Sequence, residues 1–361
     1  MWIMGPQSIA MASSMRWNPK TVKGHHYAGW ITCNRVRLSW NPIYVRAAEE
    51  GEPPTVTRQL VVGVFSPSVL IRVSRRLGLL TGLDVVEKPV SSSPAQFRAL
   101  IDGTLDAALT SPDNVLAYRF VPDNPLGQTA DARIVAAVDR GLGLGLYARP
   151  GITSAADLRG ATMGVDVAGS GFAFALYALL DSLGLRRGDY RVTALGSTPR
   201  RLSALLTGEC DATLLNAGNE LLAEQAGAAR LAALAQVCRP YLGTVLSVVG
   251  DRRVDPLADA LRATARVITS GAADQVTAGE AAAALGLPAG LARRYLDRLK
   301  DPAEGLVPDG VVDIESMETV VALRRAYRPT LVGGVDVLAT VLTPASGLLD
   351  PPTDPPVVTG R

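Results

Sequence analysis

Short apolar runs alternate with amphipathic stretches along most of the chain, and each change of period falls at Gly, Pro, Asn or Asp. Residues 59–65 (QLVVGVF) are apolar after the opening Gln59, the pattern of a strand buried on both faces of a parallel sheet. Ser66-Pro67-Ser68 follows, then an amphipathic helix through Leu80 that ends near Gly82. Residues 84–89 read as a second strand, and a helix with a four-residue apolar strand comes next. After a Pro/Asn/Asp loop at 121–128, residues 132–138 read as another strand. The series β-α-β-α-β predicts a parallel sheet covered by helices.

A second series begins after residues 142–148 (LGLGLYA), a glycine-bearing strand that ends at Arg149-Pro150-Gly151. Its Gly-x-Gly-x-Gly runs into a turn and not a helix, which excludes a dinucleotide loop; the spacing predicts a strand crossing between two lobes. A short capped helix at 154–160, a strand at 162–166, Ala168-Gly-Ser-Gly171 and a helix at 172–183 follow. Strands are expected at 190–194 and 231–235, and 241–249 as the return crossing. Helices at 256–270, within the Ala-rich stretch 277–300 and at 317–325 complete the cover.

One unit occurs twice. Residues 91–114 (SSSPAQFRALIDGTLDAALTSPDN) and 196–219 (GSTPRRLSALLTGECDATLLNAGN) match without a gap at an offset of 105, with nine of 24 positions identical. Each copy reads as an N-capped helix, with Ser93 or Thr198 before a Pro. A Gly C-cap (Gly103, Gly208) follows, then a buried strand and a polar loop. Loops at the carboxyl ends of strands bind ligands in open α/β sheets, so two such units predict two similar lobes whose polar loops face each other across a cleft.

Composition changes little in this picture. The chain has 361 residues, long enough for two cores, with 36 basic and 34 acidic residues. Only four of the basic residues are Lys and no basic stripe with interleaved aromatics exists, which argues against nucleic acid. Cys33, Cys210 and Cys238 have no metal spacing, so no metal or other cofactor is expected. Residues 51–361 contain no His, which removes Ser-His-Asp and Cys-His catalysis from that part. Residues 1–57 hold all four Trp and both His without a sustained period, and read as an irregular, poorly ordered extension. No export signal of the usual form stands there.

The order QLVVGVFSPS, helix–GTLDAALTSPDN, ARPGITSAADLRGATMGVDVAGSG and TGECDATLLNAGN resembles the type II periplasmic-binding-protein superfamily. Within it, the likeness is to the nitrate, sulfonate, taurine and thiamine-precursor group of ABC-transporter solute receptors, over roughly residues 58–330. The resemblance implies an α/β fold of two similar open lobes joined by two crossing strands. Lobe 1 is expected at 58–143 plus 244–343, lobe 2 at 144–243, and a disordered Pro-rich tail at 344–361. It implies a monomer that closes on a small anionic or heteroaromatic ligand, with ABC permease and ATPase subunits as partners. An extracytoplasmic or membrane-associated place follows from that role; the missing signal leaves a cytoplasmic one open. The alternatives are an enzyme on the same fold, of desulfinase, pyrimidine-precursor synthase or menaquinone-pathway lyase type, and a sensory module.

The candidate ligand residues lie at strand ends. Gly169, Ser170 and Gly171 open the helix at 172, where free N–H groups attract anions; an ordinary capped turn is the competing account. Ser66 and Ser68 hold the matching place in the first lobe, and equally suit an ST-turn or N-cap. Ser111, Asp113 and Asn114, and Asn216 and Asn219, sit at the mouths of the repeat strands, as ligand donors or turn caps. Phe172 and Tyr241 are expected to stack on a ring or to pack in the core. Asp106 and Asp211 are expected to hold their loops.

Overall fold

A computed structural model of the chain describes residues 58–329, 331–332 and 335–350. The expected extension 1–57 lies outside the described residues. β1 (Arg58–Val64) leads to α1 (Val69–Arg76), followed by β2 (Leu83–Pro89), α2 (Ser93–Ile101), β3 (Ala107–Thr110), α3 (Pro112–Phe120) and β4 (Ala132–Asp139). Then come β5 (Gly145–Ala148), β6 (Thr162–Val165), α4 (Gly171–Ser182), β7 (Arg191–Ala194) and α5 (Thr198–Thr207). β8 (Ala212–Leu215), α6 (Asn219–Gln225), β9 (Ala229–Ala233) and α7 (Leu234–Val237) end this run. β10 (Thr244–Val249) returns, followed by α8 (Asp255–Thr269), α9 (Asp274–Leu285), α10 (Ala289–Lys300), α11 (Ile314–Tyr327) and a hairpin, β11 (Leu331–Val332) and β12 (Val335–Asp336).

Two five-stranded sheets share one plan. Their orders are β2-β1-β3-β10-β4 and β7-β6-β8-β5-β9. In each, the first three strands are parallel, and an antiparallel strand is wedged between the third and the last. Each wedged strand is the one that arrives from the opposite sheet: β5 after β4, and β10 after β9 and α7. The backbone therefore crosses between the sheets twice, and the repeat units α2–β3 and α5–β8 lie one in each sheet.

The repeats are wired alike at the turn from helix to strand. Gly103 and Gly208 take positive φ (76° and 75°), which lets Thr104 and Glu209 fold back and donate to the Ala99 and Ala204 carbonyls. Asp106 and Asp211 then hold the parallel strand beside their own: the Val61 and Thr162 N–H groups each donate to the carboxylate at 2.8 Å. Gly63 and Gly164 leave room for Leu105 and Cys210, the residues just before these aspartates; a Cβ would meet them at 2.6 and 3.1 Å.

Four local expectations change. The helix caps are Ser92 and Ser197, one residue before Ser93 and Thr198. Residues 111–114, expected as a polar loop, are the cap and first turn of α3, with Pro112 in that turn and Asp113 complementing the helix dipole. Residues 219–225 likewise form α6. Residues 344–350 are ordered: Leu348 is fully buried, its carbonyl accepts from Ile134 N–H at 2.7 Å, and Asp350 pairs with Arg133. Burial of Leu348 and backbone bonds to β4 overcome the Pro-rich composition read as disorder; residues 351–361 lie outside the described residues.

One apolar cluster runs across the lobes. Phe97, Leu116 and Tyr118 from the first, Phe174 and Leu179 from the second, and Met317, Val320 and Val321 of α11 share it. α11 packs on both α3 and α4.

Candidate functional site

The carboxyl ends of β1, β3, β4, β6 and β8 converge on a partly open cavity, at the place an open α/β sheet presents its loops. From the first lobe come Phe65, Ser66 and Ser68 after β1, Thr110, Ser111 and Asn114 after β3, and Asp139 at the end of β4. The second lobe supplies Asp166 after β6, Ser170 and Phe172 at the start of α4, Thr198 and Arg201 of α5, and Asn216 and Ala217 after β8. Leu142 of the crossing, Thr244 of β10, and Tyr295 and Leu299 of α10 close one wall.

The lobes touch across this cavity. Asn219 Nδ2 donates to Ser66 Oγ at 3.3 Å, Ser197 N–H to the Ser91 carbonyl at 2.9 Å, and Ser93 N–H to Asp166 Oδ2 at 3.2 Å. At the crossing, Leu142 and Ala217 are the non-glycine residues with positive φ among the described residues (50° and 53°). Ala217 N–H donates to the Leu142 carbonyl at 3.1 Å, and Asn216 Nδ2 to the Gly141 carbonyl at 3.0 Å. The strained pair thus stands at the cavity edge, where the chain changes lobes.

Seven of the expected residues line the cavity together: Ser66, Ser68, Ser111, Asn114, Ser170, Phe172 and Asn216. Several also serve the backbone. Ser68 and Ser170 cap α1 and α4, accepting from Ile71 N–H and Ala173 N–H, and Asn114 Nδ2 donates to Thr110 Oγ1 at 3.1 Å. Ser111 Oγ is buried without a hydrogen-bond partner in the protein.

The other five lie elsewhere. Asn219 reaches Ser66 from behind the lining. Tyr241 is buried in the shared core, since it precedes β10 and points among its apolar neighbours. Asp113 is taken by Arg324 of α11, in a doubly hydrogen-bonded ion pair. Gly169 turns its carbonyl toward Arg324 Nη2 (3.4 Å). Gly171 packs under Asp113, so that a Cβ there would lie 2.5 Å from the aspartate Cβ and 2.9 Å from Ser111 Oγ. At Gly171 the first turn of α4, expected to receive an outside anion, is therefore closed off by the Asp113 side chain, while Ser170 and Phe172 beside it line the cavity.

The charged groups of the cavity were not among the sequence candidates. Asp139 is 3% exposed and Asp166 7%. Burial pushes the Asp139 carboxyl up to about 6, against hydrogen bonds from Thr244 and Gly141 N–H. Asp166 Oδ1 is buried with no hydrogen-bond partner in the protein. Burial pulls Arg201 down to about 10, and Asp166 nearby opposes that. Its three nitrogens donate to the Leu214 carbonyl, the Gly196 carbonyl and Thr198 Oγ1. Asp139 ends a strand, and Asp166 follows one as Ser66 does; that position was the available signal. Arg201 is the repeat equivalent of Gln96, whose Nε2 donates to the Leu109 carbonyl as Arg201 does to Leu214.

No family model and no curated protein matches the sequence. Solved structures share its fold. The alkanesulfonate-binding protein SsuA from Xanthomonas axonopodis pv. citri, bound to MOPS, is 18% identical with a TM-score of 0.60, over 77% of this chain and 96% of that one. The periplasmic aliphatic sulphonate binding protein SsuA from Escherichia coli is 19% identical with a TM-score of 0.58, over 82% and 92%. The periplasmic nitrate-binding protein NrtA from Synechocystis PCC 6803 is 11% identical with a TM-score of 0.61, over 79% and 85%. The chain has the fold of the type II periplasmic binding proteins, as its sequence resemblance implied.

Proposed function

We propose that this chain is the solute-binding receptor of an ABC-type uptake system, acting outside the cytoplasm and closing two lobes on one small ligand. The observation that carries the reading is the cavity between the lobes, walled by strand ends from both sheets and bridged by Asn219–Ser66, Ser197–Ser91 and Ser93–Asp166. Ligand seated there touches both lobes, so binding and closure are coupled through differential contact. Its class is drawn from sulfonates, carboxylates, nitrate and pyrimidine-like rings, with Ser66, Ser68, Ser111, Asn114, Ser170 and Asn216 as polar contacts and Phe172 as an apolar face. Permease and ATPase subunits are the expected partners.

A receptor without chemistry fits the side chains at hand. Burial pushes the Cys210 thiol up to about 11 and raises that of Cys238, the opposite of what a nucleophile needs. The test is a thermal-shift screen over sulfonates, carboxylates, nitrate and pyrimidines, followed by calorimetry and small-angle scattering on each hit. Saturable one-to-one binding with no change in the ligand supports the receptor. Turnover of a bound compound, or hits that leave the scattering radius and the cavity variant Asn216→Ala unaffected, would sink it.

A further inference from the structure

The receptor reading leaves open what the cavity recognises, and three observations on its electrostatics narrow the answer. First, the helix N-terminus expected to hold an anion is partly covered by protein. Asp113 covers Gly171 at the start of α4, and Arg324 neutralises Asp113 through bonds of 2.6 and 2.7 Å with both side chains 1% exposed. The close packing of Asp113 on Gly171 leaves no space for a ligand group at that point.

Second, the cavity wall carries two buried carboxylates, Asp139 and Asp166, and one cationic side chain among the described residues, Arg201. Every nitrogen of Arg201 already donates within its own lobe. With all three ionised the wall is left with one net negative charge, since two acids face one base. Third, one carboxylate oxygen lacks a partner. Asp166 Oδ2 accepts from Ser93 N–H across the lobes, whereas Oδ1 is buried and unpaired. A buried, unpaired carboxylate oxygen is costly, and a donor that arrives with the ligand removes that cost only when it is bound. Ser111 Oγ is a second buried and unpaired atom in the same lining.

We infer that the ligand carries a cationic nitrogen, an ammonium or a protonated amino-heterocycle, whose N–H groups donate to Asp166 with Asp139 as the second counter-charge. This rests on the receptor reading and narrows its ligand class. Amino-sulfonates, amino acids and aminopyrimidines remain, while nitrate and simple sulfonates or carboxylates drop out. The apolar part of the ligand packs between Phe65, Phe172 and Tyr295 of the lining.

The experiment is calorimetry on the full chain with matched probes that differ in the amine: taurine against ethanesulfonate, 2-phenylethylamine against 3-phenylpropanoate, and 4-amino-2-methylpyrimidine against 2-methylpyrimidine. In at least one pair the amine-bearing member should bind tenfold or more tightly than its mate. Asp166→Asn should remove most of that difference; Asn keeps an oxygen for Ser93 N–H but loses the charge. Asp139→Asn should weaken the same probe less. Because the paired comparison is made on the wild-type chain, it stands even where a variant fails to fold. Equal or tighter binding of the amine-free members in every pair overturns this inference and leaves the receptor reading intact. So does an amine preference that survives in a folded Asp166→Asn chain. Failure of every probe and of the wider screen overturns both.

Discussion

Arg324 of α11 and Asp113 of α3 form the most deeply buried ion pair among the described residues, with two parallel N–H···O bonds and 1% exposure on each side. Arg324 also lies over the Phe174 ring of α4 at 5.0 Å and donates to the Gly169 carbonyl. One guanidinium thus joins a helix of the first lobe to the opening turn of a helix in the second.

Replacing one partner should cost far more than replacing both. Arg324→Ala leaves a buried carboxylate facing the α4 terminus, and the loss expected in urea unfolding is about 3–5 kcal/mol. The double variant Asp113→Asn with Arg324→Met should recover a large part of it. A single variant as stable as the wild type would show that the pair is not buried in solution.

Gly196 is predicted to be a contact point for closure. Its φ is +79°, and a Cβ there would lie 2.5 Å from the Ser91 carbonyl oxygen of the other lobe. Gly208 has nearly the same φ but open space around it, which makes it the control. Both alanine variants should lose about 1 kcal/mol of stability for the left-handed backbone. Gly196→Ala alone should enlarge the radius of gyration in small-angle scattering. Equal radii would mean that the lobes do not close through this contact.

The twin aspartates give a test of modularity. Asp106→Ala and Asp211→Ala each strip the bond from the neighbouring strand's N–H, for a loss of about 1–3 kcal/mol. Asp211 also accepts from Arg149 Nε at 2.8 Å, so its replacement should cost the more. Since they sit in different sheets, the double variant should show the sum within about 0.5 kcal/mol. Denaturant melts of the four proteins decide it.

Stability should fall as pH rises from 5 to about 7. Burial pushes Glu220 up to about 7, against N–H bonds at the start of α6 and the attraction of Arg298, and Asp139 up to about 6. Unfolded, both acids ionise near their ordinary values. Between those and the folded values the native chain holds protons that the unfolded chain has lost, so each step up in pH favours unfolding. Above pH 7 this contribution levels off. Asp211 and Asp313, lowered by hydrogen bonds that outweigh their burial, act in the opposite sense and only below the usual carboxylate range. The melting temperature should drop by roughly 2–4 °C for each kcal/mol lost, and Glu220→Gln should flatten the profile. A melting curve that rises over this range would refute the assignment.

The repeat made the fold legible. Gly103 and Gly208, with the aspartates three residues later, mark the same turn twice, and turn chemistry is local enough to read from sequence. The strands at 107–110 and 212–215 follow directly. Residues 111–114 misled because Pro, Asp and Asn signal both a turn and a helix start; Val115, Leu116 and Tyr118 just beyond them, all buried, were the deciding apolar face. The site was legible only in part. Ser66, Ser111 and Asn216 stand at strand ends and line the cavity, whereas Asp113 stands at one and does not, because a partner 211 residues away captures it. Such a pairing has no local signature. Asp166 was absorbed into the expected strand 162–166, and Asp139 stood just past the expected strand 132–138, where nothing local marked it as part of a cavity.

The position of α11 sets a mechanical condition. Besides Arg324, Tyr327 Oη donates to Asp181 of α4 at 2.7 Å, while Arg328 pairs with Asp123 beyond α3. The helix is therefore stitched to both sides of the gap through its last two turns. Any parting of the two halves must carry α11 away with one and tear it from the other, so the width of the opening is tied to how firmly the C-terminal helix is seated.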